Sequence, residues 1–227
     1  MKYAGVAAWA GVTVTFLAVL VALFKEELQR IWRKPELKAL IRSTAPDCHK
    51  TEMTFTNPRT GEVIARVPCY YLRIWIENRG NQRAEQVQVF ASRLWRKRAD
   101  GTFGEERQFL PMNLLWSYIG RPFLDGLSPE MGQHCDVGHV LQPGNALTDG
   151  ETLPAVPKGQ AVLALDLEMK PFTKSHLVPP GEYQLELKIA ASNCKPVSKK
   201  LDLNITGEWF DDEAKMFEDG LGMRDGS

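Results

Sequence analysis

Residues 69–103 read CYYLRIWIENRGNQRAEQVQVFASRLWRKRADGTF, and the fold turns on their period. Tyr70, Leu72, Ile74 and Ile76 alternate with Tyr71, Arg73, Trp75 and Glu77, so one side of this stretch is apolar and the other mixed. A repeat of two is the spacing of a strand with one face on a core. Asn78, Arg79 and Gly80 supply a turn, after which Val87, Val89, Ala91 and Leu94 carry a second long strand to the Asp100-Gly101 turn. Upstream, TEMTFTNPRTGEVIARV (51–67) has the form of a hairpin closed by Asn57, Pro58 and Gly61. Downstream, AVLALDLEM (161–169), YQLELKIAAS (183–192) and SKKLDLNIT (198–206) add further strands. Strands separated by turns, with no helices between them, predict an all-β fold, an antiparallel β-sandwich.

The 227 residues hold 28 basic and 28 acidic side chains. A nucleic-acid binder normally shows a basic surplus, so nucleic acid is not expected as a partner. The apolar residues are unevenly spread: Tyr3 to Phe24 contains 18 of them in 22 positions and no charge. A helix of that length is about 33 Å long and matches a hydrocarbon core of about 30 Å. Residues 3–24 are therefore predicted to be a single-pass transmembrane helix. The competing reading is a cleaved signal peptide, which has a basic leader, a shorter apolar run and small residues at its exit; here the leader is Lys2 alone and the run ends Ala22-Leu23-Phe24-Lys25. Lys25, Arg30, Arg33, Lys34, Lys38 and Arg42 follow the span, an asymmetry that predicts an inner-membrane protein with its soluble domain facing the cytoplasm. The alternative is a domain facing the periplasm or exterior. Cys48, Cys69, Cys135 and Cys194 lack the dense spacing of a disulfide scaffold, so reduced thiols are expected, with two periplasmic disulfides as the other option. Ala4 with Ala8, and Ala7 with Gly11, have the small-residue spacing of a helix-packing face, which allows a homodimer through the anchor. The expected organisation is an anchor and juxtamembrane helix over 1–34, a sandwich over 35–207, and an acidic amphipathic helix and tail over 208–227.

The strings LRIWIENRG (72–80) and AEQVQVF (84–90), with GEYQLELKI (181–189), resemble bacterial immunoglobulin-like domains related to cell-adhesion (CARDB-like) modules. The arrangement of anchor, sandwich, LPMNLLWS (110–117) and HCDVGH (134–139) is similar to uncharacterised bacterial membrane-anchored proteins. Over Leu37 to Trp209 the resemblance implies an immunoglobulin-like sandwich, and it is nearly silent on activity. Such adhesion-type modules are often displayed outside the cell, which conflicts with the charge asymmetry.

Ser117 to Gln160 departs from the strand pattern, because 12 of its 44 residues are Gly or Pro against 32 of 227 for the chain. It is predicted as an irregular excursion, a usual location for binding and catalysis. Within it His134, Cys135 and His139 are zinc-type ligands, so zinc is the one cofactor weighed against none. Cys135 beside either imidazole also has the composition of a thiol nucleophile. Cys-x-x-Cys, Gly-x-Ser-x-Gly, phosphate-loop, dinucleotide and His-Glu-x-x-His motifs are all missing. The string Leu110 to Trp116 is either a plug in the end of the sandwich or an exposed patch; in the second case Trp116, Leu114 and Met112 would bind a protein partner. Phe210, Ala214, Phe217 and Leu221 recur at helical spacing, predicting the short C-terminal helix. The leading expectation is a membrane-tethered, non-enzymatic interaction module of unknown partner; the alternative is a metal-dependent or thiol enzyme built on the His134/Cys135/His139 loop.

Overall fold

The computed structural model describes Val19, Phe24, residues 33–144 and residues 152–226. The predicted anchor, its juxtamembrane helix and its dimerisation face lie outside the described residues except at those few positions. Among the described residues no helix is long and apolar enough to cross a membrane.

The alternation read from residues 70–97 becomes two long neighbours in chain order, β3 (Val63–Asn78) and β4 (Ala84–Lys97), which enter different sheets. The first sheet is ordered β1 (Leu37–Leu40), β3, β9 (Gly132–Leu141), β10 (Leu163–Leu165), β11 (Leu177–Val178). In it β2 (Cys48–Thr56) continues along β3 beyond β1, and β7 (Leu115–Trp116) pairs with β9. The second sheet is ordered β14 (Leu221–Gly226), β13 (Cys194–Ile205), β12 (Gly181–Ala191), β4, β5 (Phe103–Glu105). Here β6 (Met112–Asn113) and β8 (Phe123–Leu127) take successive stretches of the free side of β4. All pairings among the described strands are antiparallel, so each strand buries alternate residues against the opposite sheet. Tyr70, Leu72, Ile74 and Ile76 meet Val87, Val89, Leu185, Leu187, Leu201 and Leu203 in one buried core, which establishes the all-β sandwich.

Three sequence expectations are corrected. The segment 117–160 is not an excursion throughout, because β9 runs through its middle and occupies the centre of the first sheet. Two of its glycines are in-strand residues crowded by neighbours: a Cβ on Gly132 would lie 2.3 Å from the Trp75 ring, and one on Gly138 2.4 Å from the Ala164 carbonyl oxygen. The C-terminal helix is shorter than its stripe implied. Asp212 caps α1 (Glu213–Lys215) by accepting from the Lys215 amide at 2.8 Å, a π-helical turn follows over Met216–Gly220, and the chain then extends as β14 beside β13. Leu221 is buried as predicted, but from a strand. The third correction is the string 110–116. Met112 and Asn113 pair with β4 in the second sheet while Leu115 and Trp116 pair with β9 in the first, so this segment crosses between the layers. Met112, Leu114 and Trp116 are consequently trapped in the core, the latter two with no exposed surface. The Trp116 indole N–H donates to the Val87 carbonyl at 3.2 Å.

Candidate functional site

Because β3 alternates, Tyr71, Arg73 and Trp75 project from the outer face of the first sheet, and β9 sets His134, Asp136 and His139 beside them. A bulge at Val137 inserts one extra residue between Asp136, opposite Arg73, and Gly138, opposite Leu72. It keeps both Val137 and Val140 on the core while leaving His139 outside, opposite Tyr71. The outer face thus gathers polar side chains that a strict alternation would have split.

Arg73 is only 7% exposed, so its charge needs partners. Its Nε donates to Asp136 Oδ1 at 2.7 Å, its Nη1 donates to the Tyr118 hydroxyl at 3.3 Å, and the Tyr71 and Tyr118 rings flank the guanidinium at 4.8 and 5.2 Å. The Ser117 hydroxyl donates to the same Asp136 oxygen at 2.5 Å. Burial raises the Asp136 carboxyl above its ordinary value, and the Ser117 hydroxyl and Arg73 guanidinium oppose that rise. His134 Nε2 lies 2.9 Å from Asp47 Oδ1, whose second oxygen accepts from Arg42 Nε at 2.9 Å. His139 Nδ1 lies 2.7 Å from Asp166 Oδ1. Each imidazole is committed to its own carboxylate, and these bonds tie residues 42–47, β3, β9 and the turn after β7 together. Burial, and secondarily the Arg73 charge, lowers the His49 imidazole below its ordinary value.

The zinc and nucleophile expectations do not survive this geometry. His134 and His139 lie on the outer face, while Cys135 points the opposite way into the core. Burial pushes the Cys135 thiol well above its ordinary value, away from a reactive thiolate. Among the described residues no three His, Cys, Asp or Glu side chains group as metal ligands would. The binding set Trp116, Leu114 and Met112 is corrected as well, since all three are core residues.

Surface capacity lies next to that buried string. Leu110, Pro111 and Asn113 border a groove of about 340 Å³ whose other wall is Pro122, Leu167, Glu168, Met169 and Pro171. Leu110 is 54% exposed, Met169 is 86% exposed, and Phe172 beyond Pro171 is fully exposed. Among these lining residues Glu168 is the only charged one. The Asn113 side chain donates to Gln88 Oε1 at 3.2 Å, but its own Oδ1 is buried without a donor. Sequence reasoning reached one wall of this groove through LPMN and missed the other. Met169, Pro171 and Phe172 form an apolar cluster around Lys170 at the end of AVLALDLEM, and that was the available signal. Compared with known proteins, the chain matches no family model, no curated protein and no solved structure.

Proposed function

We propose that the chain is a membrane-tethered, non-enzymatic protein-interaction module whose groove beside β6 takes an extended peptide segment of a partner protein. The carrying observation is the coincidence, in one groove at a sheet edge, of exposed apolar walls and a single carboxylate. The chemistry of the occupant follows from the lining: an apolar side chain for Leu110, Pro122 and Met169, and an adjacent Lys or Arg for Glu168. Tethering through residues 3–24 at the inner membrane, with the sandwich on the cytoplasmic side, belongs to the same proposal. It is supported by the Lys/Arg asymmetry after the apolar run. An immunoglobulin-like reading of the sandwich is supported by two antiparallel sheets packed over one core, and the CARDB-like relation, part of the same proposal, rests on the strings 72–80, 84–90 and 181–189 alone.

The test is binding of the full chain, held in nanodiscs, to a panel of fluorescent extended peptides in which apolar and basic positions are varied independently. Peptides with an apolar residue beside Lys or Arg are expected to bind, and Glu168→Lys and Met169→Ala each to weaken binding about tenfold or more without shifting the melting temperature. Equal binding of all peptides, or binding indifferent to both substitutions, would overturn the groove assignment.

A further inference from the structure

One end of the sandwich is stitched around Asn78, a fully buried polar residue. Its side-chain amide donates to the carbonyls of Gln82 at 2.7 Å and Leu127 at 2.9 Å, and its Oδ1 accepts from the amides of Glu36 at 3.1 Å and Gly80 at 3.0 Å. Its backbone exchanges bonds with the 128–131 turn, accepting from the Glu130 amide at 2.8 Å and donating to the Met131 carbonyl at 3.0 Å. Asn193 closes the set, donating to the Arg83 carbonyl at 2.9 Å. Four segments, 33–36, 79–85, 128–131 and 192–195, therefore form one fixed platform. The chain arrives at this platform: the Lys34 amide donates to Asn81 Oδ1 at 3.0 Å, and a Cβ on Gly80 would lie 2.3 Å from the Lys34 carbonyl oxygen.

The platform is basic. Arg33, Lys34, Arg79, Arg83 and Lys195 are exposed there, against the exposed Glu36, Glu85 and Glu130 and the half-buried Glu77, which pairs with Arg79. Met131, 59% exposed, projects from the 128–131 turn. The opposite end has the reverse sign: residues 57–62, 98–102 and 206–213 hold two basic side chains against six acidic ones, with Asp211, Asp212 and Glu213 adjacent. The domain is thus polarised along its strands, with its positive end at the chain entry.

We infer that this basic platform seats on the anionic phospholipid headgroups of the bilayer from which the chain emerges. The inference rests on the tethered reading proposed above. Eight residues lie between Phe24 and Arg33, and the nine steps along the chain limit the distance from the apolar run to about 30 Å in any conformation. An anionic leaflet attracts each nearby Lys or Arg by roughly fivefold in affinity, and the acidic far end is repelled, so the field orients the domain as well as holding it. Seating leaves the groove beside β6, on the flank of the sandwich, open to a partner.

The experiment is amide hydrogen exchange on the full chain reconstituted into vesicles of phosphatidylcholine alone or mixed with phosphatidylglycerol, with flotation scored in parallel. Exchange at 79–83 and 128–131 is expected to slow about tenfold in the mixed vesicles only. The protection should vanish in about 1 M salt, where the screening length falls to about 3 Å, and in Arg83→Glu/Lys195→Glu. Exchange in β4 and β12, read in the same samples, reports whether that variant is folded, and Arg83→Lys should retain the protection. Equal exchange in both vesicle types, or protection indifferent to salt and charge reversal in a folded variant, would overturn the inference. The tether is scored separately, since failure to float with phosphatidylcholine vesicles counts against residues 3–24 as an anchor and not against the platform.

Discussion

The outer-face network depends on Arg73, because one guanidinium neutralises Asp136 and fills the space between two tyrosine rings. Arg73→Ala removes the charge and strands Asp136 in a half-dry setting, so a loss of about 3 kcal/mol is expected in denaturant unfolding. A loss below about 1 kcal/mol would show the pair to be incidental. Trp116→Ala is expected to cost about 3 to 5 kcal/mol by opening a core cavity and leaving the Val87 carbonyl without its indole donor. A variant that melts like the parent would contradict its core placement. His49 supplies the pH dependence. Its folded value lies below the ordinary 6.5, so the folded chain binds this proton less readily than the unfolded chain does. The stability tied to a neutral His49 is complete above pH 6.5 and is lost as pH falls through the folded value. The stability-versus-pH curves of the parent and His49→Asn should run parallel above pH 6.5 and diverge below it, the parent losing more; superimposable curves would refute the assignment. None of these partners was legible in the sequence, where Arg73 and Asp136 stand 63 positions apart and only sheet register brings them together.

At the scale of elements, β3, β12 and β13 were legible because sustained alternation marks a strand with one buried face, and β4 because Val87, Val89 and Ala91 alternate before the bulge at Ser92. Strand β9 was not, for two reasons: its inward residues Cys135, Val137 and Val140 are spaced two and then three because of the bulge, and Gly132 and Gly138 looked like turn signals. Both glycines are needed for clearance inside the sheet. Gly138→Ala drives a Cβ against the Ala164 carbonyl oxygen, and forcing β9 from β10 is expected to cost about 1 to 3 kcal/mol. A neutral effect on the denaturation midpoint would mean that the spacing between those strands relaxes freely. Strand β14 was hidden by coincidence: Phe210, Phe217 and Leu221 do face the core, but from a loop, a π turn and a strand in succession. The groove was half legible for a related reason. The string 110–116 was rightly recognised as apolar, yet apolarity alone cannot tell the residues that cross between sheets from Leu110, which is left at the rim.

For the whole molecule, the two ends and the flank of the sandwich have different chemistry. The chain enters at a basic end, the far end is acidic, and the groove opens on the side where the string 110–116 passes from one sheet to the other. On the proposed reading, a tether at residues 3–24 would raise the effective concentration of the groove for partners in or near the same membrane. The most direct measurement of that claim is photo-crosslinking in intact cells, with a crosslinking residue placed at Met169 in the full chain and, as a control, at Thr60 on the acidic-end hairpin. The expected result is an adduct at position 169 and none at 60. The captured peptide should carry an apolar residue next to Lys or Arg, and the adduct should disappear with Glu168→Lys while the melting temperature holds. Adducts of equal yield at both positions, or an adduct at 169 that persists with Glu168→Lys, would contradict the proposed function.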